Sequence, residues 1–254
     1  MKIPSIQELF NFPPLVEVHI GPLDFSINRI VVLIWLATCF TAAFYLIAFR
    51  RPKIVPTGLQ NLAEAVVDFV RQGIVFQVMG PEGERFVPFL TTLFSFIFTL
   101  NVFEITPLIN MPVSSRMAIP MLLTLVVYVV FNFVGFSRGP ISYLKGVLFP
   151  PEVPLPLYLL VTPIEAISVF VMRPVSLAVR LFANMVAGHI ILAIFFATPA
   201  ATFWPLKITS LFTPLPLAFS IVLVGFELFV SALQAYVFTI LSGLYIADAM
   251  HPAH

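Results

Sequence analysis

Five stretches of this chain stay apolar for about 20 residues or longer, the length a helix needs to cross a bilayer. They cover residues 27–49, 86–109, 117–137, 163–198 and 207–249. Only 10% of the 254 residues are charged and 60% are hydrophobic. A soluble domain carries about a quarter charged residues, and no soluble core hides this much apolar surface. The reading is therefore an all-α, polytopic membrane protein with five transmembrane helices. No internal repeat, low-complexity tract or long charged linker interrupts it, so residues 1–254 are read as a single integral membrane domain. The opening MKIPSIQELFNFPPLVEVHIGPLDF carries prolines and acids where a signal peptide needs an uninterrupted apolar core, so no cleaved leader is expected. With one cysteine, Cys39, no internal disulfide forms.

The last two runs exceed the hydrocarbon thickness of about 30 Å at 1.5 Å per residue. They must tilt strongly or project beyond the bilayer. Residues 57–79 behave differently from the spans. Leu59, Leu62, Val66, Phe69, Val70 and Gly73 fall on one side at helical spacing, with Gln60, Asn61, Glu64, Asp68, Arg71 and Gln72 on the other. That pattern predicts an interfacial amphipathic helix.

Lysine and arginine counts orient the chain. Arg50, Arg51, Lys53, Arg71, Arg85, Arg138 and Lys145 fall on one side, and only Lys2, Arg29, Arg116 and Lys207 on the other. The first set is expected to be cytoplasmic, which puts the N-terminus outside and the C-terminus inside. The proline-rich FPPEVPLPLY at 149–158 reads as a stiff extended connector.

Within the spans, charged and amide side chains are few. Residues 173–197 read RPVSLAVRLFANMVAGHIILAIFFA. Arg180 lies in the middle of this run, where an unpaired arginine costs about 2.5–3.5 kcal/mol on insertion scales. Asn184, four residues on, stacks on the same helix face. His189 is nine residues from Arg180, half a revolution round and about 13 Å along the axis. In the fifth run Glu227 and Gln234 are seven apart and share a face. A buried acid there has to be neutral or paired, and His189 is its natural titrating partner. Glu104, in TLNVFEITPL with Asn101 a turn before it, is a third ionisable candidate.

Each of these residues also has a purely structural reading. Asn184, His189 and Gln234 are able to serve as hydrogen-bonding glue between helices, and Glu104 as a water-facing acid. Thr162-Pro163-Ile164-Glu165 reads as a capping box that starts the fourth span, with Pro163 at its first position. Arg173 reads as an interface anchor. Gly188, with Ala183 and Ala187, would let another helix pass closely. His19, His251 and His254 lie near the termini without partners, so no metal site is implied. Phosphate-binding loops, dinucleotide fingerprints, HExxH and GxSxG are all absent, which points to no catalytic site and no cofactor in this chain. A net charge of +1 argues against nucleic acid.

The segment RPVSLAVRLFANMVAGH, followed later by FELFVSALQAYVFTILSGLYI, closely resembles the a-subunit family of F-type ATP synthases. The resemblance covers nearly the whole chain, including the amphipathic helix and NVFEITPL. It implies a stator subunit of the membrane sector that forms two proton half-channels against a rotating ring of c subunits, held by b-type peripheral stalk subunits. By position, Arg180 matches the essential arginine facing the ring, and Asn184 the polar residue one turn later. His189 and Glu227 match the paired channel positions, which some members hold interchanged. Gln234 matches the glutamine that approaches the arginine, and Glu104 an acid on the outer side. Protons are the implied cargo and the bacterial plasma membrane the implied location, with the mitochondrial inner membrane as the alternative. A sodium-driven relative, a stand-alone secondary transporter and an intramembrane hydrolase are the competing readings. The lack of repeats disfavours the transporter, and the lack of a nucleophile–base pair disfavours the hydrolase.

Overall fold

Lipid offers no hydrogen-bond partners, so a segment inside it must satisfy its own N–H and C=O groups, which a helix does locally. The computed structural model describes residues 14–16, 19–20, 23–24, 27–106, 116–149, 154–203 and 214–250. Five of its helices are long and apolar enough to cross a membrane: Arg29–Ala48, Gly80–Phe103, Ala118–Arg138, Tyr158–Phe195 and Ala218–Met250. The chain is thus a multi-pass helical membrane protein. The helical elements are α1 (Arg29–Ala48), α2 (Leu59–Val70), α3 (Val87–Ile105), α4 (Ala118–Arg138), α5 (Pro140–Leu148), α6 (Tyr158–Ile167), α7 (Arg173–Phe203) and α8 (Pro214–Met250). The expected end of the second span and start of the fifth, at 107–109 and 207–213, lie outside the described residues.

Several details differ from the sequence reading. Two short antiparallel pairs precede α1: β1 (Pro14–Val16) with β4 (Ile27–Asn28), and β2 (His19–Ile20) with β3 (Leu23–Asp24). Asn28 Oδ1 then accepts the Val31 N–H at 3.1 Å and caps α1. The helix α5 was not anticipated. Gly139, at a φ of +147°, ends α4, and Pro140 opens α5, where its missing N–H has no partner to lose. Tyr143 of α5 is buried flat against Gly135 of α4, where a Cβ would fall 2.6 Å from its ring. Burial pushes the Tyr143 phenol up from its ordinary value.

The capping box at Thr162 is corrected. The helix already starts at Tyr158, Pro163 lies inside it, and the Thr162 hydroxyl donates to Leu148 O at 3.0 Å. The proline therefore removes a bond inside the helix. A π-turn, Ser168–Met172, follows, and in it the Arg173 N–H bonds Ser168 O, five residues back. This widened turn falls immediately before Pro174, which has no N–H to offer. The fourth span is longer than expected as a result. Tyr158–Phe195 has 38 residues and Ala218–Met250 has 33, about 57 and 50 Å of helix. Of the proline-rich connector, residues 150–153 lie outside the description, and Leu155–Leu157 forms a 3₁₀ turn rather than extended chain.

Packing divides the chain into two units, one made of 1–43, 96–115 and 183–234, the other of 44–95, 116–182 and 235–254. In the first, Ile30, Ala37, Ile97, Leu100, Met185 and Leu192 are buried. In the second, α2 continues through a π-turn, Arg71–Val75, and Phe76–Val78. Its buried edge is Gln60, Ala63, Val70, Ile74 and Val75, while Leu59, Leu62 and Phe69 are exposed. The stripe is thus divided: Leu59 and Leu62 face away from the protein, Val70 is buried in it, and Phe69 lies 5.6 Å from the Phe94 ring and 5.9 Å from the Tyr236 ring. Gln60, assigned to the polar side, is buried because the preceding loop folds back on it. Its amide accepts the Lys53 N–H at 3.0 Å and donates to Lys53 O at 2.9 Å.

The last turn of α8 collects arginines in this second unit. Arg138 donates to Met250 O at 2.9 Å and to Glu82 at 3.1 Å. Arg173 pairs with Asp248 at 2.9 Å and lies 5.2 Å over the Tyr245 ring. Cations at a helix C-terminus satisfy its open carbonyls and oppose its dipole.

Candidate functional site

A polar side chain inside a span has lost water, so its neighbours decide its chemistry. In the first unit, α7 carries Asn184 and His189, and α8 carries Glu227 and Gln234. His189 is 4% exposed, and Glu227 and Gln234 are each 7% exposed, while Asn184 is half-buried. Ser220 and Ser231 are buried with them. Positions 220, 227, 231 and 234 follow the seven-four-three spacing of one helix face, so a polar stripe runs along the buried side of an otherwise apolar helix.

Two of these groups tie the helices together. Ser220 Oγ donates to Phe195 O of α7 at 3.0 Å, and Asn101 Nδ2 of α3 donates to Ser231 O at 3.2 Å. Asn101 Oδ1 and Gln234 Nε2 are buried and make no hydrogen bond among the described residues. A buried polar atom left so costs about 1–3 kcal/mol.

Gly188 is what lets α8 bring its acid to α7. A Cβ at this position would lie 2.6 Å from Glu227 Cδ and 3.0 Å from Oε2, and would overlap Oε1. The carboxyl group therefore rests on the bare Gly188 backbone, one residue before His189. The small residue expected to admit a helix admits this one side chain. Along the same helix Ala183, Ala187, Ile191 and Ile194 are exposed, while Met185, Gly188, His189 and Leu192 are buried.

Arg180 belongs to the second unit. It is exposed, as are Ser176 and Val179, whereas Leu177, Ala178 and Leu181 are buried. No acid among the described residues pairs with Arg180. Arg71, Arg138 and Arg173, by contrast, pair with Glu84, Glu82 and Asp248. Glu104 lies on α3, and its side chain is outside the description. Among the described residues no group of three or more His, Cys, Asp or Glu is placed to hold a metal.

The sequence reading names Asn101 only beside Glu104, and passes over Ser231 and the seat of Glu227 on Gly188. Asn101 was visible one turn before Glu104, and Ser231 at helical spacing between Glu227 and Gln234. Serine carries little signal because its hydroxyl is usually satisfied by its own helix. The Arg173–Asp248 pair joins residues 75 apart, a link that local pattern does not encode.

These features define a class: a multi-pass helical membrane protein with a line of titratable and amide groups buried in its last two spans and, on the exposed side of one of them, an arginine with no acidic partner among the described residues. The sequence pattern of the ATP synthase A chain family matches residues 31–247. ATP synthase subunit a of Rhodococcus erythropolis is 42% identical over 251 residues, covering 98% of this chain and 90% of that one. ATP synthase subunit a of Frankia alni is 41% identical, covering 98% of this chain and 86% of its own length. For ATP synthase subunit a of a Methylobacterium species the identity is 39%, covering 100% and 99%. The chain belongs to the ATP synthase A chain family.

Gly188→Ala should cost about 1–3 kcal/mol by overpacking, and most of that cost should vanish in a Glu227→Ala background. Thermal unfolding of both single variants and the double checks this. Equal losses in the two backgrounds would show that the carboxyl group does not rest there.

Proposed function

We propose that this chain, as the stator subunit a of the F-type ATP synthase membrane sector, passes protons between two half-channels against a rotating ring of c subunits. The observation that carries the reading is Arg180, an exposed arginine inside a span with no acidic partner among the described residues of its own chain. A cation in that position is far less costly when a carboxylate of another chain faces it. A ring of c subunits, each with one intramembrane carboxylate, supplies such a partner in succession.

The proton enters from outside past Glu104, Glu227 and His189 and neutralises a ring carboxylate. Once neutral, that carboxyl group can turn into lipid. After nearly a full revolution it meets the second half-channel and releases its proton inside. Arg180 separates the two channels, because its fixed charge repels a passing proton and favours the ionised carboxylate opposite it. Seating Glu227 on Gly188 beside His189, with Gln234, Ser231 and Asn101 buried near it in sequence or by hydrogen bond, supports a relay of exchangeable groups on the entry side. Asn184 lines the face toward the ring. b-type peripheral stalk subunits hold the stator still. The chain sits in a bacterial plasma membrane with its N-terminus outside.

Arg180→Ala should abolish proton-driven ATP synthesis in reconstituted vesicles while the chain still inserts. Arg180→Lys should fail nearly as badly, because a desolvated lysine can lose its proton whereas guanidinium does not. ATP synthesis by the alanine variant above a few per cent of wild type would refute the assignment. For orientation, single cysteines at Arg51 and Ser115 in a Cys39→Ala background should react with an impermeant thiol reagent from inside and outside respectively. Reaction from one side only would overturn the five-span orientation.

A further inference from the structure

A second polar feature lies outside the proposed proton path, in the second unit, where α1 ends and the chain turns back into α2. A cavity of about 440 Å³ opens there, lined by Arg50, Arg51, Lys53, Thr57 and Gln60 and flanked by Ile47 and Leu59. Its size falls within the usual range for small-molecule sites, roughly 300–1,000 Å³. None of the three cations forms an ion pair among the described residues.

The C-terminus of α1 accounts for only part of this charge. A helix end carries about half an elementary charge, and the N-terminus of α2, which has no side-chain cap at Gly58, contributes a similar charge of opposite sign on the facing wall. The two helix ends roughly cancel, so with the Glu64 carboxylate held by the Gln60 amide about two positive charges remain. The loop that carries them is fixed rather than slack, because the buried Gln60 amide bonds both the N–H and the carbonyl of Lys53 and also donates to Glu64 at 2.7 Å. The cavity has an apolar border. Ile47 and Leu59 of its lining are exposed, as are Leu46, Ile54 and Val55, which lie close to lining residues in sequence.

We propose that this cavity binds the phosphodiester headgroup of an anionic phospholipid, with its acyl chains lying on the exposed apolar side chains. Both halves of the argument are needed. Basic pockets at helix ends suit anionic headgroups, but free phosphate or an acidic protein segment would leave Ile54 and Val55, exposed beyond the end of the α1 span, without an apolar cover. A lipid covers the charge and the apolar border together. The site rests on its own residues and does not depend on the proton-path reading.

The test uses the full chain purified in detergent and counts retained lipid by native mass spectrometry. Dioleoylphosphatidylglycerol should bind about tenfold or more tightly than dioleoylphosphatidylcholine. Arg50→Gln and Arg51→Gln, made singly so that the loop keeps two cations, should each weaken the phosphatidylglycerol complex by about fivefold. Neither should change retention of phosphatidylcholine, which also reports that the variants remain folded. Lys145→Gln removes a cation elsewhere and should leave both affinities unchanged. Equal affinity for the two lipids, or the same loss from Lys145→Gln, would overturn the proposal. Displacement of the lipid by inorganic phosphate, or preference for a polyglutamate peptide over phosphatidylglycerol, would likewise show that the cavity takes something other than a lipid.

Discussion

An ionic group in hydrocarbon must find a partner, and this chain meets that demand in two opposite ways. At the last turn of α8, Arg138 and Arg173 are matched by Glu82, Asp248 and the Met250 carbonyl of the same chain. At Arg180 no such match exists among the described residues. The first arrangement is structural, since it secures a helix terminus. The second leaves a cost of about 2.5–3.5 kcal/mol that none of the described residues removes and that another molecule can. On the proposed reading that molecule is the rotor, and the unpaired charge is what makes the chain a stator subunit rather than a self-sufficient bundle.

The buried stripe on α8 shows the same economy on a smaller scale. Glu227 reaches α7 because Gly188 offers no side chain, and Asn101 and Ser220 fix helices through backbone carbonyls that a helix can share. A larger residue at position 188 would push the acid off its seat on the α7 backbone, one residue before His189. Small residues here determine where a proton-binding group sits.

Much of this was legible in the sequence because bilayer thickness converts directly into run length. The five spans and the interfacial helix follow from apolar runs and one amphipathic pattern, and the ionisable candidates stand out because their background is apolar. What escaped was set by tertiary context. The run signal placed the start of the fourth span at Pro163, since proline usually opens a helix, yet Tyr158 begins it and the π-turn before Pro174 keeps it continuous. Gln60 looked solvent-facing on the helical wheel, but the returning loop needed its amide. The short helix α5 was hidden because Gly139-Pro140 reads equally well as a stop and as a start. The contact between Gly188 and Glu227 spans 39 positions of sequence, and no local pattern announces it.

The central claim is that the exposed side of α7 around Arg180 faces a carboxylate of another subunit. Single cysteines at Ser176, Val179, Leu177 or Leu181, in a Cys39→Ala background, can be paired with a cysteine next to the c-subunit carboxylate in the assembled complex. A disulfide needs Cα atoms within about 7 Å. Oxidation should link the ring to Ser176 or Val179, which are exposed, and not to Leu177 or Leu181, which are buried. Linkage through Leu181 but not Val179, or no linkage at any of the four, would contradict the account.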